Sequence, residues 1–292
     1  MSLFVAEALG CGAEIVAADS RQLYRGLDVG TGKPDAAARA RVPHHMLDLL
    51  EPTDVANAAR YAREARAAIA AIRARGRAAI VVGGSGLYVR ALLIGLFAGP
   101  GRDAAFRRRL GARADRVGWP ALHAELVARD PETAARVHPN DAVRITRALE
   151  IIEGTGMRAS VARRRGAEPP IGVAARAFAI EWPREALAER IARRFDAMLA
   201  AGLVDEVRGL LARGVPPDAP AFRAPGYAEI VRFVRGEFPL DEATALAVRA
   251  TRRYAKRQMT WFRAMPEIAW MPGDSDPVRV ARAILDHLRA GR

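Results

Sequence analysis

Two short apolar runs, Glu14-Ile-Val-Ala-Ala-Asp19 and Ala79-Ile-Val-Val-Gly83, frame a stretch at 56–75 whose apolar residues recur at helical spacing, with Arg and Glu on the other side. Strand, helix and strand with glycine punctuation predict a βαβ unit, and with it a parallel sheet. Open α/β sheets bind their ligands beyond the carboxyl ends of the strands. Asp19 and the Gly83-Gly84-Ser85-Gly86 turn are both predicted at that edge.

The pattern changes after Gly99, where Pro100-Gly101 breaks the chain. Residues 103–165 read as short, arginine-rich helices without a strand candidate, and 166–172 is a Gly/Pro-rich break. Residues 174–181 are predicted to return to the sheet as a strand. Long helical patterns follow at 184–213 and 241–264, then a strand-like Ile268–Met271 and a terminal helix. The predicted fold class is α/β: a parallel sheet flanked by helices, from residues 1–97 and 173–292, with an all-helical insertion at 98–172. No repeat or low-complexity tract interrupts it.

Composition narrows the function classes. A hydrophobic content of 51% supports a sizeable core. No stretch approaches the ~20 consecutive apolar residues of a membrane-spanning helix. Met1 to Gly10 carries Glu7 and no basic segment, unlike a signal peptide. Cys11 is the sole cysteine, which excludes an internal disulfide and a cysteine-rich zinc site. These features suit a cytoplasmic enzyme or RNA-handling protein with no membrane partner. The net charge is +13, and with Lys33 and Lys256 the only lysines, 44 of the 46 basic residues are arginine. Coding bias explains arginine in place of lysine, but not the surplus over 33 acidic residues. A polyanionic partner accounts for that surplus, because cationic side chains displace counterions from phosphates.

The stretch Asp19-Ser-Arg-Gln-Leu-Tyr-Arg-Gly-Leu-Asp-Val-Gly-Thr-Gly-Lys-Pro34 carries the most chemistry. A carboxylate at a strand end, beside Ser20, Arg21 and Gln22, offers a proton acceptor among hydrogen-bonding groups; by itself it also fits a residue capping the next turn. Lys33 reads as part of a solvated turn. Arg144 and Arg147 share a helix face, which serves either RNA or surface ion pairs. Arg249, Arg252, Arg253, Lys256 and Arg263 follow one side of a late helix, with Leu246, Ala250, Tyr254 and Trp261 on a neighbouring, core-directed side. His44-His45 with Asp48 read as structural rather than metal-binding.

Six ordered blocks together resemble the tRNA dimethylallyltransferase (IPP transferase) family. They are the Asp19–Pro34 stretch, Val42-Pro-His-His-Met-Leu-Asp48, Val82-Gly-Gly-Ser-Gly-Leu-Tyr88, His138-Pro-Asn-Asp-Ala-Val-Arg-Ile-Thr-Arg-Ala-Leu-Glu150, Gly226-Tyr-Ala-Glu229 and Thr251-Arg-Arg-Tyr-Ala-Lys-Arg-Gln-Met-Thr-Trp-Phe-Arg263. The resemblance implies a P-loop NTPase-like form of the α/β sheet, and transfer of a dimethylallyl group from dimethylallyl diphosphate to N6 of an adenine adjacent to the anticodon. It implies Asp19 as the base, Mg²⁺ as cofactor through metal ligands it leaves unknown, and a monomer acting on the anticodon stem-loop. By the same resemblance, tRNA contacts fall on Ser20, Arg21, Gln22, Ser85, Arg107 and Val143, Arg144, Ile145, Thr146, Arg147, and on the helix bearing Arg249, Arg252, Arg253 and Lys256. Arg223, Ala224, Pro225, Gly226, Tyr227 and Ala228 match a substrate-contacting segment, with Arg223 placed to hold diphosphate oxygens. Ser85 stands where the family usually has threonine, which keeps the hydroxyl. Pro225 replaces a small aliphatic residue.

The family opens with a strand and a loop of the form Gly-Pro-Thr-Ala-Ser-Gly-Lys-Thr, whose N–H groups, lysine and hydroxyl hold diphosphate and Mg²⁺. This sequence starts at Met1-Ser-Leu-Phe-Val-Ala-Glu-Ala-Leu, which resembles the helix after that loop. The first strand and the loop are therefore expected to be missing, and residues 1–292 alone are expected to be inactive. The alternatives are a non-catalytic tRNA-binding remnant and a small-molecule kinase of the same fold.

Overall fold

A computed structural model describes residues 1–9, 12–97, 99–165, 175–274 and 276–290. Cys11 and the break at 166–172 lie outside the described residues. The chain forms two compact units, Met1–Leu93 with Gly172–Arg292, and Ile94–Ile171.

The first unit begins with α1 (Ser2–Ala8), β1 (Ala13–Ala17), α2 (Ala36–Arg41), β2 (His44–His45), α3 (Ala58–Ala74), β3 (Ala78–Val82) and α4 (Gly86–Leu93). Every residue of β1 is buried, as expected for a central parallel strand covered on both faces. It pairs in parallel with β2 on one side and β3 on the other. Helix α3 starts where the Asn57 side chain accepts from the Ala59 and Arg60 N–H groups, and it buries Tyr61, Ala62, Ala65, Ile69 and Ile72 along one stripe. The single acid of β1, Glu14, is 2% exposed and held by Arg75, Arg77 and His45. Burial raises its pKa, but these partners lower it further, to about 2. His45 thus serves structure, as its sequence context suggested, while His44 Nδ1 lies 2.7 Å from the Val42 carbonyl oxygen.

The second unit holds α5 (Ala104–Val117), α6 (Trp119–Arg129), α7 (Pro131–Ala134), α8 (Ala142–Thr155) and α9 (Ala159–Arg165), and no strand among the described residues. Its core joins Phe106, Leu110, Leu122, Leu126, Ile145, Leu149 and Ile152. Asp130, fully buried, accepts from the Thr133 and Ser160 backbone and from both hydroxyls, tying α7 to α9.

The first unit resumes with β4 (Ala177–Glu181), α10 (Arg184–Ala200), α11 (Leu203–Ala212), a 3₁₀ turn at Pro220–Arg223, α12 (Tyr227–Val234), α13 (Leu240–Arg263), β5 (Ile268–Pro272) and α14 (Pro277–Ala290). Two details differ from the sequence reading. The helical stretch at 184–213 is broken at Gly202, whose φ of +94° belongs to a left-handed turn that a helix cannot continue. Strand β4 does not return to the first sheet. Strands pair only when about 4.8 Å apart, and β5 is the strand that pairs with β4 among the described residues, in parallel. One apolar layer nevertheless packs against both sheets, combining Val5 of α1 and Val280, Ile284 and Leu285 of α14 with Ile80, Phe178, Ile180 and Met271. The architecture is α/β with parallel pairing throughout, flanked by helices. No described helix is long and apolar enough to cross a membrane.

Candidate functional site

The candidate site of the first unit grows from the carboxyl ends of β1 and β3. Beyond β1 the chain turns at Asp19, whose carboxylate accepts the Arg21 N–H at 2.8 Å. The capping role is therefore present, and the carboxylate remains half-buried at the sheet edge rather than inside it. The turn after β3 meets it there. The Ser85 N–H donates to the Ala18 carbonyl, the Ser20 N–H donates to Ser85 Oγ at 2.9 Å, and that hydroxyl donates to Ser20 Oγ at 3.2 Å. A side chain at Gly83 would overlap the Ala18 carbonyl, so the two loops approach this closely only with glycine there.

The rest of the Asp19–Pro34 stretch is fastened from several sides. Arg21 Nη1 donates to the Pro220 carbonyl at 3.0 Å, joining this loop to the segment that carries Arg223. Gln22 Nε2 donates to the Thr31 and Gly32 carbonyls, each at 3.3 Å. Lys33 corrects the sequence reading: instead of lying in a solvated turn, its ammonium is buried and bonds Asp28, Asp48 and the Tyr24 carbonyl. Two carboxylates and a carbonyl satisfy all three of its protons, which makes its burial tolerable.

Arg223 ends the 3₁₀ turn with its side chain exposed, while Ala224 and Tyr227 are buried. The Gly226 N–H donates to Glu229, and Ala228 lies in the first turn of α12. The Tyr227 hydroxyl is committed to Glu206 and accepts the Gly30 N–H, so it belongs to the scaffold rather than to a diphosphate. Burial, then the Glu206 charge, raises its pKa. Glu206 also accepts the Asp28 and Val29 N–H groups at 2.8 Å. Nothing in its local sequence distinguishes Glu206 from other acids on exposed helices.

Tyr88 and Tyr254 join the surroundings of the site without a sequence signal that assigns them to it. Tyr88 is buried, stacked on Tyr61, with a pKa raised by burial and then by charges that include Asp19. Tyr254, on the face of its helix that reads as core-directed, brings its hydroxyl to the Gly84 carbonyl, and its pKa is raised by burial and then by the Asp19 charge. On the other side of α13, Arg249, Arg252, Arg253 and Lys256 are exposed.

In the second unit, Glu150 is 2% exposed. Arg107 grips both of its oxygens at 2.8 Å, and Arg147 adds a bond at 2.7 Å. Arg144 is exposed and lies 3.5 Å from Asp141. Val143 is exposed and Thr146 half-buried. Ile145 corrects the sequence reading, because its side chain is fully buried in the helical core and offers RNA no surface. Burial alone would raise the Glu150 pKa; Arg107, Arg147 and the Asp103 N–H outweigh it and bring the value from 4.5 to about 2. The depressed pKa means the unfolded state binds the proton more readily, so this stability is present above pH 4.5 and is lost as pH falls toward about 2. Glu150→Gln should destabilise the second unit by about 3 kcal/mol or more at neutral pH, because the arginines lose their charge partner. It should also flatten the acid limb of stability in urea melts; an unchanged limb would refute this account.

The IPP transferase family model matches residues 22–265 of the chain. The chain belongs to the IPP transferase family. The matched span of that family includes Gln22, Ser85, the α8 arginines, Arg223 and all of α13, and it begins just after Asp19. Relatives named tRNA dimethylallyltransferase include one from Anaeromyxobacter sp. (strain Fw109-5), 51% identical over 286 residues, 97% of this chain and 94% of the relative. Another, from Geobacter metallireducens, is 47% identical and covers 95% of this chain and 90% of its own. Among solved IPP transferases, the full-length tRNA isopentenylpyrophosphate transferase of Bacillus halodurans superposes with a TM-score of 0.71 at 35% identity, covering 99% of this chain and 90% of that one. A eukaryotic dimethylallyltransferase acting on tRNA shares the fold at 24% identity, with a TM-score of 0.76.

Proposed function

We propose that this protein transfers a dimethylallyl group from dimethylallyl diphosphate to N6 of the adenine adjacent to the anticodon of tRNA, as a cytoplasmic monomer. The observation that carries the reading is the Asp19 carboxylate at the carboxyl edge of β1, next in the chain to Ser20, which Ser85 holds by two hydrogen bonds, in a family member. An exocyclic amine is a weak nucleophile because its lone pair is delocalised. As N6 bonds to the first carbon of the dimethylallyl group, the carbon–oxygen bond to diphosphate breaks and the N6 proton passes to Asp19. The adenine must leave its stack to reach that carboxylate. In this reading Arg21, Gln22 and Ser85 hold the extruded nucleotide and Arg223 the departing diphosphate.

In this reading Mg²⁺ would enter the site as an ion carried by the substrate. The described residues hold no cluster of three His, Cys, Asp or Glu side chains that could bind a metal. Mg²⁺ commonly takes much of its shell from substrate phosphates and water. The Ser20 and Ser85 hydroxyls are the oxygen donors the chain would add, and the ion would offset charge on the leaving diphosphate.

The test is transfer of labelled dimethylallyl groups to tRNA with Mg²⁺, by residues 1–292 and by a version bearing a Gly-x-Thr-x-x-Gly-Lys-[Ser/Thr] loop upstream. Label on the adenine beside the anticodon with either version supports the proposal. Absence of label with both, while tRNA still binds, would leave a tRNA-binding protein without transfer activity.

A further inference from the structure

Helix α13 presents two different sides within the first unit. Tyr254, Gln258 and Trp261 recur at i, i+4 and i+7 and so share one face. That face meets the glycine turn between β3 and α4. Gln258 Nε2 donates to the Gly84 carbonyl at 2.8 Å, and the Tyr254 hydroxyl reaches the same oxygen at 3.5 Å. A Cβ on Gly86 would stand 3.0 Å from Trp261, and one on Gly84 would overlap the Gln258 amide. The exposed cations Arg249, Arg252 and Lys256 lie on the opposite side of the helix, by the 3.6-residue period.

The gripped turn carries Ser85, whose N–H donates to the Ala18 carbonyl and whose hydroxyl accepts the Ser20 N–H, so that it bonds the residues on either side of Asp19. A shift of this turn therefore reaches Asp19 through one hydrogen-bonded link. We propose that Gln258 is a positioning residue: by holding the Gly84 carbonyl it fixes the Ser85 turn, and through it the placement of the Asp19 carboxylate. This rests on the proposed transfer reaction, with Asp19 as its base. Gln258 touches neither substrate in this account; it acts through Gly84 and Ser85.

Gln258→Leu keeps comparable bulk and removes the donor. Its single-turnover transfer rate should fall about tenfold, the effect of one net hydrogen bond, with tRNA affinity and thermal midpoint near those of the parent. Gly84→Ala should give the same defect by displacing the Gln258 amide. The double variant should be no worse than either single one, because both break the same hydrogen bond. A loss of general packing would instead lower the midpoint and make the two effects add, which would overturn the proposal. Amide exchange at Ser85, whose N–H donates to Ala18, reads the turn without any reaction. It should quicken about tenfold in both single variants. Parental exchange in Gln258→Leu would overturn the proposal even if no protein transferred label. Failure of both residues 1–292 and the loop-bearing version to transfer label, while both variants show faster exchange, would refute the proposed reaction and leave the grip on the turn intact.

Discussion

Asp19→Asn is expected to slow dimethylallyl transfer by about 10²–10⁴-fold, the usual contribution of a positioned general base. The substitution is nearly isosteric and preserves an oxygen that can accept the Arg21 N–H, the bond that shapes the turn. The fold and tRNA affinity should therefore remain close to the parent's, and the loss should appear in the single-turnover rate. What asparagine cannot do is accept the proton released by N6 as the new bond forms. Measurement in the version that transfers label, with tRNA binding followed separately, decides the point. Near-parental turnover would confine Asp19 to the capping role that its hydrogen bond also fits.

tRNA binding is expected to weaken by about 10³–10⁵-fold between roughly 50 and 200 mM salt, as for proteins that make ~6–10 phosphate contacts. The net charge of +13 alone would not require this, since many arginines are already paired. Arg107 and Arg147 are bound to Glu150, and Arg263 to Glu181. The exposed row Arg249, Arg252, Arg253 and Lys256 is the more available surface. Replacing these four by alanine should reduce the slope of log affinity against log salt by ~0.7–0.9 for each phosphate that is no longer neutralised. An unchanged slope would move the RNA surface away from α13. Salt-independent binding by the parent would remove the polyanion reading altogether.

Much of the first unit is legible in the chain because the relevant signals are local. The apolar runs of β1 and β3, the stripe of α3 and the glycine turn after β3 each follow from residues a few positions apart. Asp19 and Ser85 are both predicted at the strand ends, and the structure joins them through Ser20. Lys33 reads as solvated because a Gly-Lys-Pro turn usually is; Asp48, which neutralises it from fifteen positions away, cannot be recognised as a partner from sequence alone. Ile145 sits in a block matched as a unit, yet its helical phase with Leu149 and Ile152 marks it for the core.

By itself the sequence determined the α/β class, the basic surface and the family, because hydrophobic period, charge and ordered motifs are properties of the chain read in order. The tertiary structure decided which partners those elements took. It paired β4 with β5 rather than with the first sheet, set Glu206 and Tyr227 beneath the 28–30 loop, and brought Gln258 onto the Gly84 carbonyl. These are contacts between residues far apart in the chain. They depend on how the elements pack and on which buried polar groups must find partners, and neither is recorded in local spacing.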